Sequence, residues 1–456
     1  MNIVVIGAGA GGLTTASNIR RNDKDSQIIV ITQDKNIAYS PCAIPYVIGG
    51  EINDFDKIIM HKPEEYMKKN IRVLTEATVT IIDKRNNEVV ITKGKQTQRV
   101  KYDKLVIATG GEPLVPPIKG TDLENVFTIR TIEDGKKVQK QAKESKKIVL
   151  LGGGAIGLEL GYELAQKGKE VTLVEMKPQI FPRSFDPDMA DKIKEKLEEH
   201  KIKILTSTTI QTINGDKQVE SVTINDEKVP VDMVILSTGV RPQTKLAEKI
   251  GCKRGKFALK TDIHMQTTQE NVYAVGDCVE VVDAITNEKT LSPLGTTAVR
   301  QGIVAAKNIT GIEAEFKPVL NSTVSKIGDY EIGAVGYTEA IAKANKIEII
   351  TSKMETLTRA RYYPGSKSLT IKLITKTDGT IIGCQMFSKE AVSERIDAMT
   401  IIISQKLKCQ DVVSLEFSYT PPLSTVIDPI VNVAESIIQK MSKKEDNSKK
   451  EEDSKK

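Results

Sequence analysis

Two stretches of this chain alternate apolar runs and helical periodicity in the same order. Ile3 to Ile6 form a β-branched run, Leu13 to Arg21 read as a helix, and Ile28 to Ile31 form a second apolar run, giving strand, turn, helix and strand within about thirty residues. Lys147 to Leu151, Leu158 to Gln166 and Val171 to Glu175 repeat that order. Leu105 to Gly110 and Val234 to Gly239 each predict a strand running into a turn, the return from one such unit. In the last third, short strands are predicted at Ile371 to Ile374 and Ile381 to Cys384, with a helix from Ala391 to Ile403. From residue 441 onward almost no apolar side chain remains, which predicts a disordered charged tail over 441–456.

The turns between the first strand and helix of each repeat are rich in glycine. In Gly7-Ala8-Gly9-Ala10-Gly11-Gly12, Gly7 permits the tight turn, Gly9 lets the backbone approach a pyrophosphate, and Gly12 lets helix and strand pack closely. A dinucleotide's phosphates would then sit on the positive end of the helix. The acid that would bind its ribose is displaced: Thr32 and Gln33 occupy the first places to look, and Asp34 follows. Gly152, Gly154 and Gly157 repeat the fingerprint, and Glu175 ends the next strand. A carboxylate there accepts hydrogen bonds from a 2′-hydroxyl and repels a 2′-phosphate, so NADH is the expected donor, with NADPH left open by nearby Lys177. Two dinucleotide sites in one chain pair a hydride donor with an acceptor, the logic of a flavoprotein reductase with FAD in the first site.

Composition narrows the class. A chain of 456 residues, 39% hydrophobic and 28% charged, has room for two or three globular domains. A net charge of +6 from 66 basic and 60 acidic residues concentrates no basic patch for nucleic acid. Neither a signal peptide nor a membrane span is read from the sequence, and five scattered cysteines with no CxxC spacing read neither as a disulfide framework nor as a zinc site. The expected compartment is the cytoplasm, with no metal.

Asn271-Val272-Tyr273-Ala274-Val275-Gly276-Asp277 resembles the second FAD motif of the pyridine nucleotide-disulfide oxidoreductases, where the aspartate binds the ribityl chain. With both fingerprints, the resemblance covers about residues 1 to 440. Cys42, in Ser40-Pro41-Cys42-Ala43-Ile44-Pro45-Tyr46, has no vicinal partner, since the next cysteine is Cys252. That is similar to the single-cysteine branch containing coenzyme A-disulfide reductases, NADH oxidases and NADH-dependent polysulfide reductases. Arg361-Tyr362-Tyr363-Pro364-Gly365 and Phe417-Ser418-Tyr419-Thr420-Pro421-Pro422 are similar to segments of the coenzyme A-disulfide and polysulfide reductases.

The resemblance implies an α/β fold: two Rossmann-like dinucleotide-binding domains, for FAD (1–112 and 245–322) and NAD(P) (113–244), and a C-terminal α/β dimerisation domain (323–440). It implies a homodimer in which Tyr362, Tyr363 and Tyr419 of one subunit face the active cysteine of the other. Thr109, Gly110 and Asp277 join Asp34 as expected FAD contacts, and Thr14, Asn18 and Arg21 fit a coenzyme A cleft. There are departures. Ala10 stands where the peroxidases and water-forming oxidases carry a histidine, and Ala38, Pro41 and Val299 replace side chains that are polar or basic in better-known coenzyme A-disulfide reductases.

Ser40 before Pro41 reads as an N-cap and first helical residue, which puts Cys42 in the first turn of a helix where a thiolate is favoured. The expected activity is reduction of coenzyme A disulfide, coenzyme A persulfide or polysulfide through Cys42. The alternatives are an NADH oxidase, a thiol-redox sensor, and a reductase for a small iron–sulfur partner, which would not need Cys42. Cys252, Cys278, Cys384 and Cys409 read as structural, and Arg21, Lys62, Arg359 and Arg361 as groups that could bind phosphate.

Overall fold

The computed structural model describes residues 1–453, with side chains through Lys443. Its chain divides into two compact units, each assembled from separated segments.

The first unit comprises Met1–Pro116, Phe127–Lys143 and Thr238–Val319. Its sheet runs in the order Val272–Ala274, Lys104–Ile107, Asn2–Ile6, Gln27–Ile31, Ile71–Leu74, all parallel. A parallel sheet covered on both faces needs strands that are apolar throughout, and Val4, Val5, Val30, Leu105, Val106 and Ile107 are accordingly buried. Helix Ala10–Asn22 follows the first strand and packs along helix Gly295–Ile309. Chain order reverses on either side of strand Asn2–Ile6, the kind of crevice where open α/β sheets bind ligands.

Residues 127–143 were expected inside the nucleotide-binding insert but pack with this unit instead. The reason is a close packing contact far along the chain: in helix Ile132–Glu144 a Cβ on Gly135 would stand 2.7 Å from the Phe55 ring and 2.8 Å from Ile44, a distance only glycine allows.

The second unit comprises Pro117–Val126, Glu144–Ser237 and the chain from Leu320. Strands Ile202–Leu205, Glu170–Val174, Lys147–Leu151 and Met233–Leu236 lie parallel in that order. Farther along the chain, a five-stranded antiparallel sheet is ordered Thr323–Ile327, Tyr330–Gly336, Ile381–Ser388, Ser368–Lys376, Ile349–Leu357. Helix Pro429–Asp453 buries Ile430, Val433, Ala434 and Ile437 in this core, one face at helical spacing. The segment expected to be a disordered tail begins within that helix. Its backbone is helical through Asp453, and its last three residues, 454–456, lie outside the described residues.

Lys372, 5% exposed along its side chain, is held by Asp186 at 3.2 Å, Asp188 at 2.7 Å and Glu339 at 2.6 Å. Gln385 meets Asp186 twice, accepting from its backbone N–H at 2.9 Å and donating to its carboxylate at 2.8 Å. A buried charge is tolerable only when paired in this way.

Candidate functional site

The first glycine turn is shaped by two close backbone approaches. Gly7 has φ +111°, and a Cβ there would stand 2.1 Å from the Ala108 carbonyl oxygen; one on Gly12 would stand 2.0 Å from the Gly7 carbonyl oxygen. A Cβ on Gly9 would meet nothing within 4 Å, so the turn opens at the residue whose backbone must face a phosphate. The second turn has the same construction, with Gly152 at φ +118° against Ser237, Gly157 against Gly152, and open space over Gly154. Both turns fit the pyrophosphate of a dinucleotide.

The acids of the two turns differ. Glu175 is buried, and its carboxylate accepts the backbone N–H groups of Gly153 and Lys177, each at 2.7 Å, so it closes back on its own fingerprint loop. Asp34 is half-buried and accepts from Thr32. Burial, with Glu133 close by, pushes its carboxyl above the usual aspartate range. The same surroundings, burial first, push Tyr39 well above an ordinary phenol.

Asp277 meets Arg130 Nη2 at 2.8 Å, and that guanidinium also lies 3.7 Å from a Cβ placed on Gly110, which has φ +65°. Thr109 donates its hydroxyl to the Gln243 carbonyl at 2.6 Å. Arg130 was not among the residues read from sequence. A signal was present, because Thr131 and Asp134 form a reciprocal capping box at the start of helix Ile132–Glu144: Asp134 accepts the N–H of Thr131 and donates its own N–H to the Thr131 hydroxyl. Arg130 is the residue that this cap carries into the site.

Cys42 differs from the expectation in its local structure. Pro41–Ala43 is a 3₁₀ turn, followed by a six-residue α-helix, Ile44–Gly49, and the Ser40 side chain makes no capping hydrogen bond. An α-helical bond to the Pro41 carbonyl would have to come from residue 45, which is proline and has no N–H, so the carbonyl takes the Ile44 N–H instead. A long helix dipole is therefore not behind this thiol. The turn is positioned from the side: Met60 N–H donates to the Ala38 carbonyl at 2.9 Å, and Tyr39 bridges to Ile59. Ala38 itself has φ +50°, a conformation that costs a residue with a Cβ roughly 1–2 kcal/mol. Cys42 is exposed, whereas Cys252, Cys278, Cys384 and Cys409 are buried.

Along helix Ala10–Asn22, Asn18 donates to the Thr14 carbonyl at 2.8 Å and accepts from Arg21 at 3.0 Å, so these three residues share one face. Beside them Ser17, Arg20, Arg21, Lys24, Lys69 and Asn70 line an open, cationic cleft. Arg359 is committed elsewhere, its guanidinium forked onto Glu390. In the second unit Tyr362 and Tyr419, 57 residues apart in sequence, bring their hydroxyls to 3.1 Å of each other. That hydrogen bond pushes the Tyr419 phenol upward, and Tyr362 stays 75% exposed. Tyr363 lies on the same exposed loop. Among the described residues no group of three His, Cys, Asp or Glu could hold a metal ion, and no helix is long and apolar enough to cross a membrane.

Two family models match the chain: pyridine nucleotide-disulphide oxidoreductase over residues 1–302, and the dimerisation domain of the same group over 323–429. The chain is 52% identical over 448 residues to a protein named NADH oxidase from Methanocaldococcus jannaschii, covering 97% of this chain and 100% of that one. It is 32% identical over 437 residues to an NAD(P)H coenzyme A polysulfide/persulfide reductase from Pyrococcus horikoshii, covering 95% and 97%. Its fold is similar to that of a solved NAD-dependent persulfide reductase from A. fulgidus, at 34% identity and TM-score 0.95, covering 97% of this chain and 84% of that one.

Proposed function

The chain belongs to the pyridine nucleotide-disulphide oxidoreductases, and on that premise we propose that it is an FAD-dependent NADH:disulfide reductase working through Cys42 on coenzyme A disulfide, coenzyme A persulfide or polysulfide. The observation that carries this reading is the exposed Cys42 thiol on a strapped turn, in a chain whose other thiols are buried. FAD, when bound, supplies the relay between a hydride donor and a thiol.

Cys42 thiolate attacks a disulfide RSSR, forming a Cys42–SR mixed disulfide and releasing RS⁻. Two electrons that originate in NADH then cleave the mixed disulfide, returning the Cys42 thiolate and a second RS⁻, so one NADH and one proton yield two RSH. Asp277 and Arg130 hold the flavin side of the site with Thr109, Gly110 and Asp34, and Glu175 takes the adenosine ribose of NADH. Thr14, Asn18 and Arg21, beside the cationic cleft, bind the phosphates of a coenzyme A substrate. A homodimer, supported by the match to the dimerisation model, brings Tyr362, Tyr363 and Tyr419 to the partner's cysteine, where a phenol donates to the leaving thiolate. Five cysteines held as thiols suit a reducing compartment, and we assign the enzyme to the cytoplasm.

The M. jannaschii relative favours a second reading, an NADH oxidase with oxygen as acceptor. Anaerobic NADH oxidation by the FAD-loaded protein separates the two. Turnover with coenzyme A disulfide or polysulfide that exceeds the rate in air supports the reductase; turnover in air alone overturns it.

A further inference from the structure

Gln301 lies on helix Gly295–Ile309, where that helix crosses the start of helix Ala10–Asn22. The crossing is tight. A Cβ on Gly302 would stand 2.7 Å from the Gly11 carbonyl oxygen and 3.1 Å from Thr14 Cβ, and one on Gly11 would stand 3.1 Å from Val275 and 3.4 Å from the Ala298 carbonyl oxygen. Gln301, next to Gly302 and one turn beyond Ala298, thus sits where its helix meets the first glycine turn, and its amide reaches the Gly276-Asp277 turn. It is 0% exposed.

The two ends of that amide are in different situations. Oε1 accepts the Gly276 N–H at 2.7 Å, steadying a glycine at φ +86° immediately before Asp277. Nε2 has no hydrogen-bond partner among the described residues. The nearby Thr15 hydroxyl offers little, since it is already donated to the Gly11 carbonyl at 2.8 Å. A buried amide donor without an acceptor is rare in native proteins and calls for an explanation. A pyrophosphate at the N-terminus of helix Ala10–Asn22, beside this crossing, would supply such an acceptor.

We propose that Gln301 is an FAD-binding residue: Nε2 donates to the pyrophosphate while Oε1 holds the Gly276-Asp277 turn. This rests on the reading of the first glycine turn as the FAD site. The test strips FAD from purified protein and measures FAD affinity by reconstitution, alongside the apoprotein Tm, for wild type, Gln301→Met and Gln301→Glu. Removing a donor to a charged group weakens FAD binding about tenfold or more in Gln301→Met. Gln301→Glu keeps the acceptor for Gly276 but sets an anion against the pyrophosphate, so its loss is the greater of the two.

If Gln301 only propped up the turn, the order would reverse, because Glu retains that prop and Met does not. Variants that bind FAD within twofold of wild type, or a greater loss in Gln301→Met than in Gln301→Glu, would overturn the inference and leave the flavin reading standing. Wild-type protein that fails to bind FAD would overturn both.

Discussion

Cys42 and Cys278 belong to the same compact unit, and each follows a motif proposed to hold the flavin, yet their surroundings are opposite. Cys42 stands exposed on a 3₁₀ turn between two prolines, strapped to residues 58–60 and preceded by a left-handed alanine. Cys278 is sealed, 0% exposed, with its sulfur 3.3 Å from the Val275 carbonyl oxygen, and burial pushes its thiol up to about 11. Closeness to a cofactor motif does not make a thiol reactive. Access and a solvated thiolate do.

Alkylation of the native protein offers the largest expected contrast. At pH 7.5 iodoacetamide should modify Cys42 on the order of a hundredfold faster than any other cysteine, because the others are inaccessible and bind their protons tightly. Peptide mapping reads this directly, and comparable labelling of Cys278 would break the comparison.

Alkaline stability comes next. Burial raises Cys278 from its ordinary 9 to about 11 and Cys409 to about 12. A thiol whose folded pKa is raised keeps its proton longer when folded, so stability is undiminished below about pH 9 and falls as pH rises through 9 to 11. In Cys278→Ala that loss should shrink by about 2 kcal/mol at pH 11. Denaturant titrations at pH 8 and 11 measure it, and an unchanged loss would mean that Cys278 titrates normally.

The smallest effect concerns the turn itself. Ala38→Gly removes the cost of φ +50° at that residue but adds chain entropy to the unfolded state, for a net gain of roughly 0.5–1 kcal/mol. The Cys42 labelling rate should stay within twofold, since the Met60 to Ala38 hydrogen bond survives the change. A large change in rate would show that strain, rather than strapping, sets the thiol's position.

Much of the fold was legible because its causes are local. Gly7 and Gly12 are dictated by contacts of 2.1 and 2.0 Å, and buried parallel strands need unbroken apolar runs such as Val4-Val5-Ile6. The helix expected to begin at Pro41 was misread although its correction was also local, in the proline at position 45 that cannot donate an N–H. Arg130 and Gln301 were not legible as partners of the Gly276-Asp277 turn, although the capping box that follows Arg130 was. Each reaches the site by long-range packing, Arg130 to Asp277 across 147 residues and Gln301 to Gly276 across 25, and no periodicity marks such a meeting. The grouping of residues 127–143 with the first unit was hidden for the same reason, since it depends on Gly135 meeting Phe55 and Ile44.

The central claim is that electrons leave this protein through Cys42. Anaerobic NADH oxidation with coenzyme A disulfide and with polysulfide should be compared in wild type and Cys42→Ser, both loaded with FAD to the same occupancy. Sulfur-dependent turnover in wild type that falls on the order of a thousandfold in Cys42→Ser, with flavin reduction by NADH unchanged, is the expected result. Equal sulfur-dependent turnover in the two proteins would contradict it and remove the thiol from the mechanism.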